Sequence, residues 1–432
     1  MKKSLIALAA LAAVSAVSAQ STVSVYGRLD LGYGTASQKN SYGLALTGST
    51  AFESQDTKAS SFGNNNARTT SRLGFSGTED LGGGLKAMFN YEVALAPDNI
   101  GTKNGTTDET LKESSRVGFA GTRLANLAVS GGFGTVVLGT FLNAHDALRG
   151  FSVHTNGMAG GDFMARHNAQ FTDIGTTAAT FTAAATSAVG NSNIFDVGAS
   201  ANSAVTTSGI AIAQALKAIN GIGLNGRSHN AVAYSSPVMS GFSVGVGFQS
   251  DKTNRAPTTQ ATDTRSINGQ TISLNYANGP IKATYVTGTG KNVDKDFSST
   301  TSGYSSTKAT DAGFAASYDL GVAQLFLVNE GVKAQITGAL LDGYTAKTNA
   351  TEVGVKFPMG AFTPYFLMGS GKITINTGSE ATEFKTKATQ IGTTYDLSKR
   401  SSMYLSIGRD EMMNAGSGLK RSGTTAGMIH TF

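Results

Sequence analysis

Arg28, Arg68, Arg72 and Arg116 recur at polar positions in the early part of the chain, with Lys86 among them, and the run NAHDALRG adds His145, Asp146 and Arg149. A guanidinium keeps its charge throughout the physiological range and binds carboxylates and phosphates through a planar fork. Gathered along a water-filled passage, such groups raise the local concentration of anions; they do not make or break bonds. Bond-making chemistry has little to stand on here. The five histidines, His145, His154, His167, His229 and His430, show no metal-ligand spacing, and HTNGMAGGDFMARH is too loose to form a site. No GxSxG elbow, phosphate loop or nucleotide fingerprint stands in the strand–turn–helix setting that its chemistry needs. With no cysteine there is no disulfide framework and no thiolate metal site. No catalytic residue, cofactor or metal is expected.

The elements that position these charges have a period of two. STVSVYGRLDLGYG puts Val23, Val25, Gly27, Leu29 and Leu31 on one face and Ser24, Tyr26, Arg28 and Asp30 on the other. ARTTSRLGFSG sets Leu73 and Phe75 against Arg68, Thr70, Arg72 and Ser76; LKAMFNYEVAL sets Phe89, Tyr91 and Val93 against Lys86, Met88, Asn90 and Glu92. Alternation over about ten residues has the length of a tilted strand that crosses a bilayer. The pattern returns in AVAYSSPVMSGFSVGVGFQS, in TISLNYANGPIKATYV with its Asn278-Gly279 turn, and onward to TTAGMIHTF. The expected fold is all-β, a 16-stranded antiparallel transmembrane β-barrel, since a bacterial barrel needs an even count to close. Seven short turns alternate with long polar connections such as 36–66, 96–113, 288–306 and 410–422. Phe432, His430 and Met428 share one face of the last strand, which must pair with the first.

Composition is consistent with that reading. Lys2 and Lys3, the apolar stretch SLIALAALAAVSAV and the Val17-Ser18-Ala19 cleavage site make residues 1–19 a signal peptide, leaving 20–432 as the barrel. Losing those two lysines brings the formal charge from +6 to +4. No basic run exists, so no nucleic acid is expected as a partner. A mean hydropathy of −0.08 is what alternating lipid-facing and lumen-facing residues average to.

The stretches VSVYGRLDLGYG, SRLGFSGTEDLGGGLKAMFNYE, SRVGFAG, GGFGTVVLGTF, AVAYSSPVMSGF, LNYANGP, TTYDLSKRSSMYLSIG and AGMIHTF span the mature chain. Together they resemble the general porins of Gram-negative bacteria of the Burkholderia, Comamonas and Neisseria type. The resemblance implies an outer-membrane homotrimer through which small hydrophilic solutes and ions diffuse passively. It also implies a third external loop folded into the lumen, and a terminal Phe432 that the barrel assembly machinery reads. By the same resemblance Arg72 and Arg116, in the matching SRLG and SRVG motifs, form the basic wall of the constriction. The inward arginines favour mild anion selectivity, unless Asp30 and Glu92 neutralise them. A substrate-selective channel and a barrel serving surface adhesion are the competing readings. Two stretches depart from the pattern: GTRLANLAVSGGFG, longer than the usual turn between the fourth and fifth strands, and the loop 142–227, with a possible helix in GIAIAQALKAING.

Overall fold

The computed structural model describes residues 22–41, 55–63, 69–95, 119–152, 227–255, 263–296, 303–338, 343, 345–376, 381–414 and 417–432. The signal segment, Arg68, Arg116 and the possible helix of the long loop lie outside them. The strands run β1 (Thr22–Ser41), β2 (Gln55–Gly63), β3 (Arg72–Gly82), β4 (Leu85–Leu95), β5 (Phe119–Gly131), β6 (Gly134–Leu142), β7 (Arg227–Ser235), β8 (Phe242–Arg255) and β9 (Asp263–Asn278). They continue with β10 (Ile281–Asp296), β11 (Gly303–Asp319), β12 (Gln324–Gly338), β13 (Thr345–Lys356), β14 (Phe362–Asn376), β15 (Ala381–Asp396), β16 (Ser401–Asn414) and β17 (Ser417–Thr431). A single helical turn, α1 (Asp146–Arg149), follows β6.

Every strand pairs antiparallel with its neighbours, and β17 pairs with β1, so the sheet closes on itself. The 17 strands fill sixteen positions, because β2 and β3 share one. Gly32–Asn40 of β1 pair with β2, while Thr22–Arg28 pair with β3. Closure satisfies the backbone groups that an edge would leave unpaired in hydrocarbon. The seam has its own lock. Gly27 and Phe432 exchange backbone hydrogen bonds of 2.9 and 3.1 Å. The Phe432 ring lies over Gly27 so closely that a Cβ there would stand 2.3 Å from it.

Burial is inverted relative to a water-soluble protein. Leu127 is 65 % and Val25 58 % exposed, whereas Asp30 and Glu352 are fully buried. Outward positions carry Val, Leu, Phe and Tyr for lipid; inward ones carry polar and charged groups.

Three sequence expectations need correction. Much of 36–66, 288–306 and 410–422 is strand, not loop: β1 runs to Ser41, β10 to Asp296 and β16 to Asn414. There the wall rises with both faces polar, so the ladder continues while the alternation that reveals it disappears. Secondly, GTRLANLAVSGGFG is no extended connection. It is mostly β5 itself, turning at Gly132-Phe133 into β6. Thirdly, Asn278 pairs with Ile281, so Gly279-Pro280 make the turn. Gly279 takes φ +54°, and proline's fixed negative φ excludes the Asn-Gly type I′ geometry.

Candidate functional site

One inner wall is basic. Arg28 of β1 donates to Thr69 Oγ1 at 3.2 Å. Thr69 in turn donates to Asp30 Oδ2 through its amide at 2.7 Å and its hydroxyl at 2.9 Å. Tyr404 of β16 donates to Asp30 Oδ1 at 2.8 Å. Asp30 is therefore occupied in pinning the break between β2 and β3 and in tying β16 to it, and among the described residues it forms no ion pair with an arginine. Glu92 of β4 does. Arg123 Nε lies 2.6 Å and Arg72 Nη1 3.6 Å from its Oε1. The Tyr26 hydroxyl stands 2.8 Å from Asn90 Oδ1 and 3.1 Å from Glu92 Oε2, its ring seated over Gly74. Arg227, at the start of β7, is within electrostatic reach of Arg123, Asp146 and Glu92. Arg72 and Arg123 thus clasp one carboxylate, with Arg28 close to Arg72 and Arg227 close to Arg123.

The opposite wall is acidic, and the root of the third loop covers it. After β6, Asn143 accepts from the His145 amide at 3.1 Å and donates to Ser228 at 3.2 Å, turning the chain inward. Three-residue-spaced backbone bonds from Asp146 to Ser152 wind it into a tight coil around α1. Leu148, only 1 % exposed, enters an apolar patch of Val286, Ala315, Val328, Ala350 and Ala388 on the inner face of β10 to β15. Beside it, His145 Nε2 meets Asp311 Oδ2 at 2.8 Å and Nδ1 meets Glu330 Oε1 at 3.3 Å. Burial alone would lower the imidazole pKa, but hydrogen bonds and charges from Asp311 and Glu330 outweigh it and raise it to about 9. With a carboxylate beside each nitrogen, the ring is held as an imidazolium at neutral pH. These three groups lie within 4.8 Å of one another. A metal would need both carboxylates turned to one ring nitrogen, and here each nitrogen has its own. Ser152 donates to Glu352 and completes the cover. The start of the loop is therefore folded into the lumen, as the resemblance implies.

Arg28 and Arg72 stand together on the inner wall, where their strand parity puts them. Lys86 does not join them. It lies beside the short β3–β4 turn, opposite Asp80, whereas Arg72 sits at the other end of the hairpin opposite Ala94. Asp146 and Arg149 pair with each other at 3.3 Å. Arg123 and Arg227 escaped sequence reasoning. Counting outward Leu127 and Ala125 by twos puts Arg123 outside, but a register shift between Glu92 and Val93 leaves it as the unpaired residue of a β-bulge and turns it inward. Arg227 follows a long loop and has no alternating run before it. Met428 and Phe432 face outward and are exposed, as expected, and His430 between them meets Ser401 Oγ at 2.9 Å.

A barrel lined by polar and charged groups, with the root of a loop folded into it, has the architecture of a diffusion channel. The family model of the Gram-negative porins matches residues 7–414. The chain belongs to that family. Outer membrane porin protein 32 of Delftia acidovorans is 27 % identical to this porin over 441 residues, covering 99 % of this chain and 95 % of that one. An outer membrane porin protein of Bordetella pertussis is 26 % identical over 439 residues, 94 % and 93 % of the two chains. Among solved structures, an anion-selective porin from Comamonas acidovorans superposes with TM-score 0.58 at 21 % identity over 96 % of this chain and 100 % of that one. In-vitro folded OmpT of Vibrio cholerae gives 0.53 at 13 % identity over 95 % and 98 %. The porin is a bacterial outer-membrane protein that forms a water-filled channel for passive diffusion of small hydrophilic solutes.

Proposed function

We propose that the channel passes small anions in preference to cations, through a constriction whose exposed charge is the Arg28, Arg72, Arg123 and Arg227 wall. The observation that carries this is the unequal exposure of the two walls. The Arg72 side chain keeps 26 % of its surface open to the lumen, while Asp311, Glu330 and Glu352 are buried beneath the loop root. A transverse field runs from the arginines to those carboxylates, but a solute in transit touches mainly the positive side. The anion-selective character of the Comamonas acidovorans porin supports the same reading. Arg68 and Arg116 would extend the basic wall. We further propose that the porin is a homotrimer, that the outward Met428–His430–Phe432 face is what the assembly machinery reads, and that the protein carries out no catalysis. The test is the reversal potential of the purified porin in a planar bilayer under a potassium chloride gradient. Anion preference is expected; a clear cation preference would sink the proposal.

A further inference from the structure

On one side of β1 the ladder is interrupted at Leu29, Asp30 and Leu31. Residues up to Arg28 pair with β3, and residues from Gly32 pair with β2. A side chain fills the gap. Ser71 Oγ accepts from the Asp30 amide at 2.9 Å and donates to the Asp30 carbonyl at 3.2 Å. The Ser71 carbonyl takes the Leu95 amide at 2.8 Å. Backbone groups that the interruption would orphan are thereby satisfied, and the stretch 69–71 is set against β1 at a fixed height.

That stretch handles two arginines. Arg28 and Arg72 stand directly opposite each other on β1 and β3, a like-charged pair of the kind that destabilises a sheet. They are turned to different acceptors: Arg28 Nη1 to Thr69 Oγ1 at 3.2 Å, and Arg72 Nε to the Thr70 carbonyl at 3.3 Å. The single hydroxyl proton of Thr69 goes to Asp30 Oδ2 at 2.9 Å, which turns the oxygen's lone pairs toward Arg28. The Thr69 amide adds a bond of 2.7 Å to the same carboxylate oxygen, and the other oxygen takes the Tyr404 hydroxyl at 2.8 Å. Tyr404 belongs to β16. Its hydroxyl reaches β1 by passing over Gly427 of β17, where a Cβ would collide with it. Asp30 is fully buried, and in that low dielectric each of these bonds is stronger than it would be in water.

We propose that Tyr404, Asp30 and Thr69 are positioning residues for ion selectivity: acting in series, they fix where the Arg28 guanidinium stands beside Arg72. Held there, the two charges act on a passing ion at one level of the lumen. Released, Arg28 moves away from Arg72, and with a screening length of about 8 Å a displacement of a few ångströms separates their fields. The inference rests on the reading of Arg28 as a selective charge. Thr69→Val and Tyr404→Phe each remove one hydroxyl and change no charge, so selectivity as summed lumen charge is blind to both. The full-length porin and these variants are compared by reversal potential in a potassium chloride gradient, alone and combined with Arg28→Ser. Heat-modifiable electrophoresis reports whether each barrel is intact.

Thr69→Val is expected to shift the permeability ratio toward cations by about half or more of the shift that Arg28→Ser produces. Tyr404→Phe should shift it less, in the same direction, and Thr69→Ser, which keeps the hydroxyl, should hold the wild-type value. In the Arg28→Ser background neither Thr69→Val nor Tyr404→Phe should add anything. A merely structural role predicts the same shift with and without Arg28. That result would overturn the proposal, as would a wild-type ratio in Thr69→Val or a failure of Thr69→Ser to preserve it. A wild type that prefers cations would sink the anion reading alone, because the Arg28-dependent shift is measured from wild type whatever its sign.

Discussion

The two inner walls hold similar charges in opposite states. On β1, β3, β5 and β7, four arginines gather near Glu92 of β4, and Arg72 among them stays open to the lumen; on β11, β12 and β13, three carboxylates disappear beneath a loop that brings its own cation, His145. The acidic wall is structural. Its ion pairs fasten the loop, and the fastening removes those carboxylates from the path of solutes. Among the described residues the basic wall has no such cover, and under the proposed function it sets the electrostatics of passage. Charge count alone would have missed this, because what separates the walls is access to water.

The strongest way to break the contrast is to discharge the basic wall. Replacing Arg28, Arg72 and Arg123 together by Ser leaves Glu92 without the two guanidiniums that clasp it and open to the lumen. The preference is then expected to invert, with a change of about tenfold or more in the anion-to-cation permeability ratio. A reversal potential of changed sign in a salt gradient checks it; an unchanged sign would mean that the selective charges lie elsewhere.

Attacking the opposite wall should spare selectivity at first and change the width of the passage. His145→Ala leaves Asp311 and Glu330 buried without their cation, a loss on the order of 3–5 kcal/mol for a broken buried pair. The loop root is expected to lift from β11 and β12. Single-channel conductance would then rise and become noisier, and protease would reach 143–152. Conductance equal to wild type would show that Leu148 in its apolar patch suffices to hold the loop.

A gentler form of that experiment uses pH. The folded-state pKa of His145, raised to about 9 from an ordinary value near 6.5, makes the latch a contribution that is full below pH 6.5 and lost as pH climbs through about 9. The shift corresponds to about 3 kcal/mol at its limit. Between about pH 8 and 10 the wild-type channel is expected to drift toward the behaviour of His145→Ala, and the variant to show no such drift. Identical drift in both would remove His145 as its cause.

How much of this was legible beforehand follows from which physical signal each residue leaves. Wall residues with one face in lipid alternate, so parity alone puts Arg28 and Arg72 inward, and the closure at Phe432 follows from the need to pair the last strand. Arg123 was not legible, because a bulge shifts parity by one and only the paired partner strand shows where. The strands above the membrane have the sequence of loops because water on both faces erases the alternation. The His145–Asp311–Glu330 cluster joins residues far apart in sequence, and no spacing rule reports a loop that crosses a lumen.

The smallest expected effect is also the sharpest check on placement. Lys86 carries the same charge as the arginines and lies on the same hairpin as Arg72, so a view of selectivity as summed lumen charge gives it equal weight. Its position argues otherwise. From the level of Ala94, opposite Arg72, to Lys86 beside the turn is roughly 25 Å along β4. At physiological salt the screening length is about 8 Å, so a charge three screening lengths from the constriction contributes almost nothing there. Lys86→Ser is therefore expected to leave the reversal potential unchanged at about 0.15 M salt, and to produce a small shift toward cations only near 0.01 M, where the screening length grows to about 30 Å. A shift at the higher salt comparable to that of an arginine variant would place the selective region at the turn end of the barrel and dissolve the contrast between the two walls.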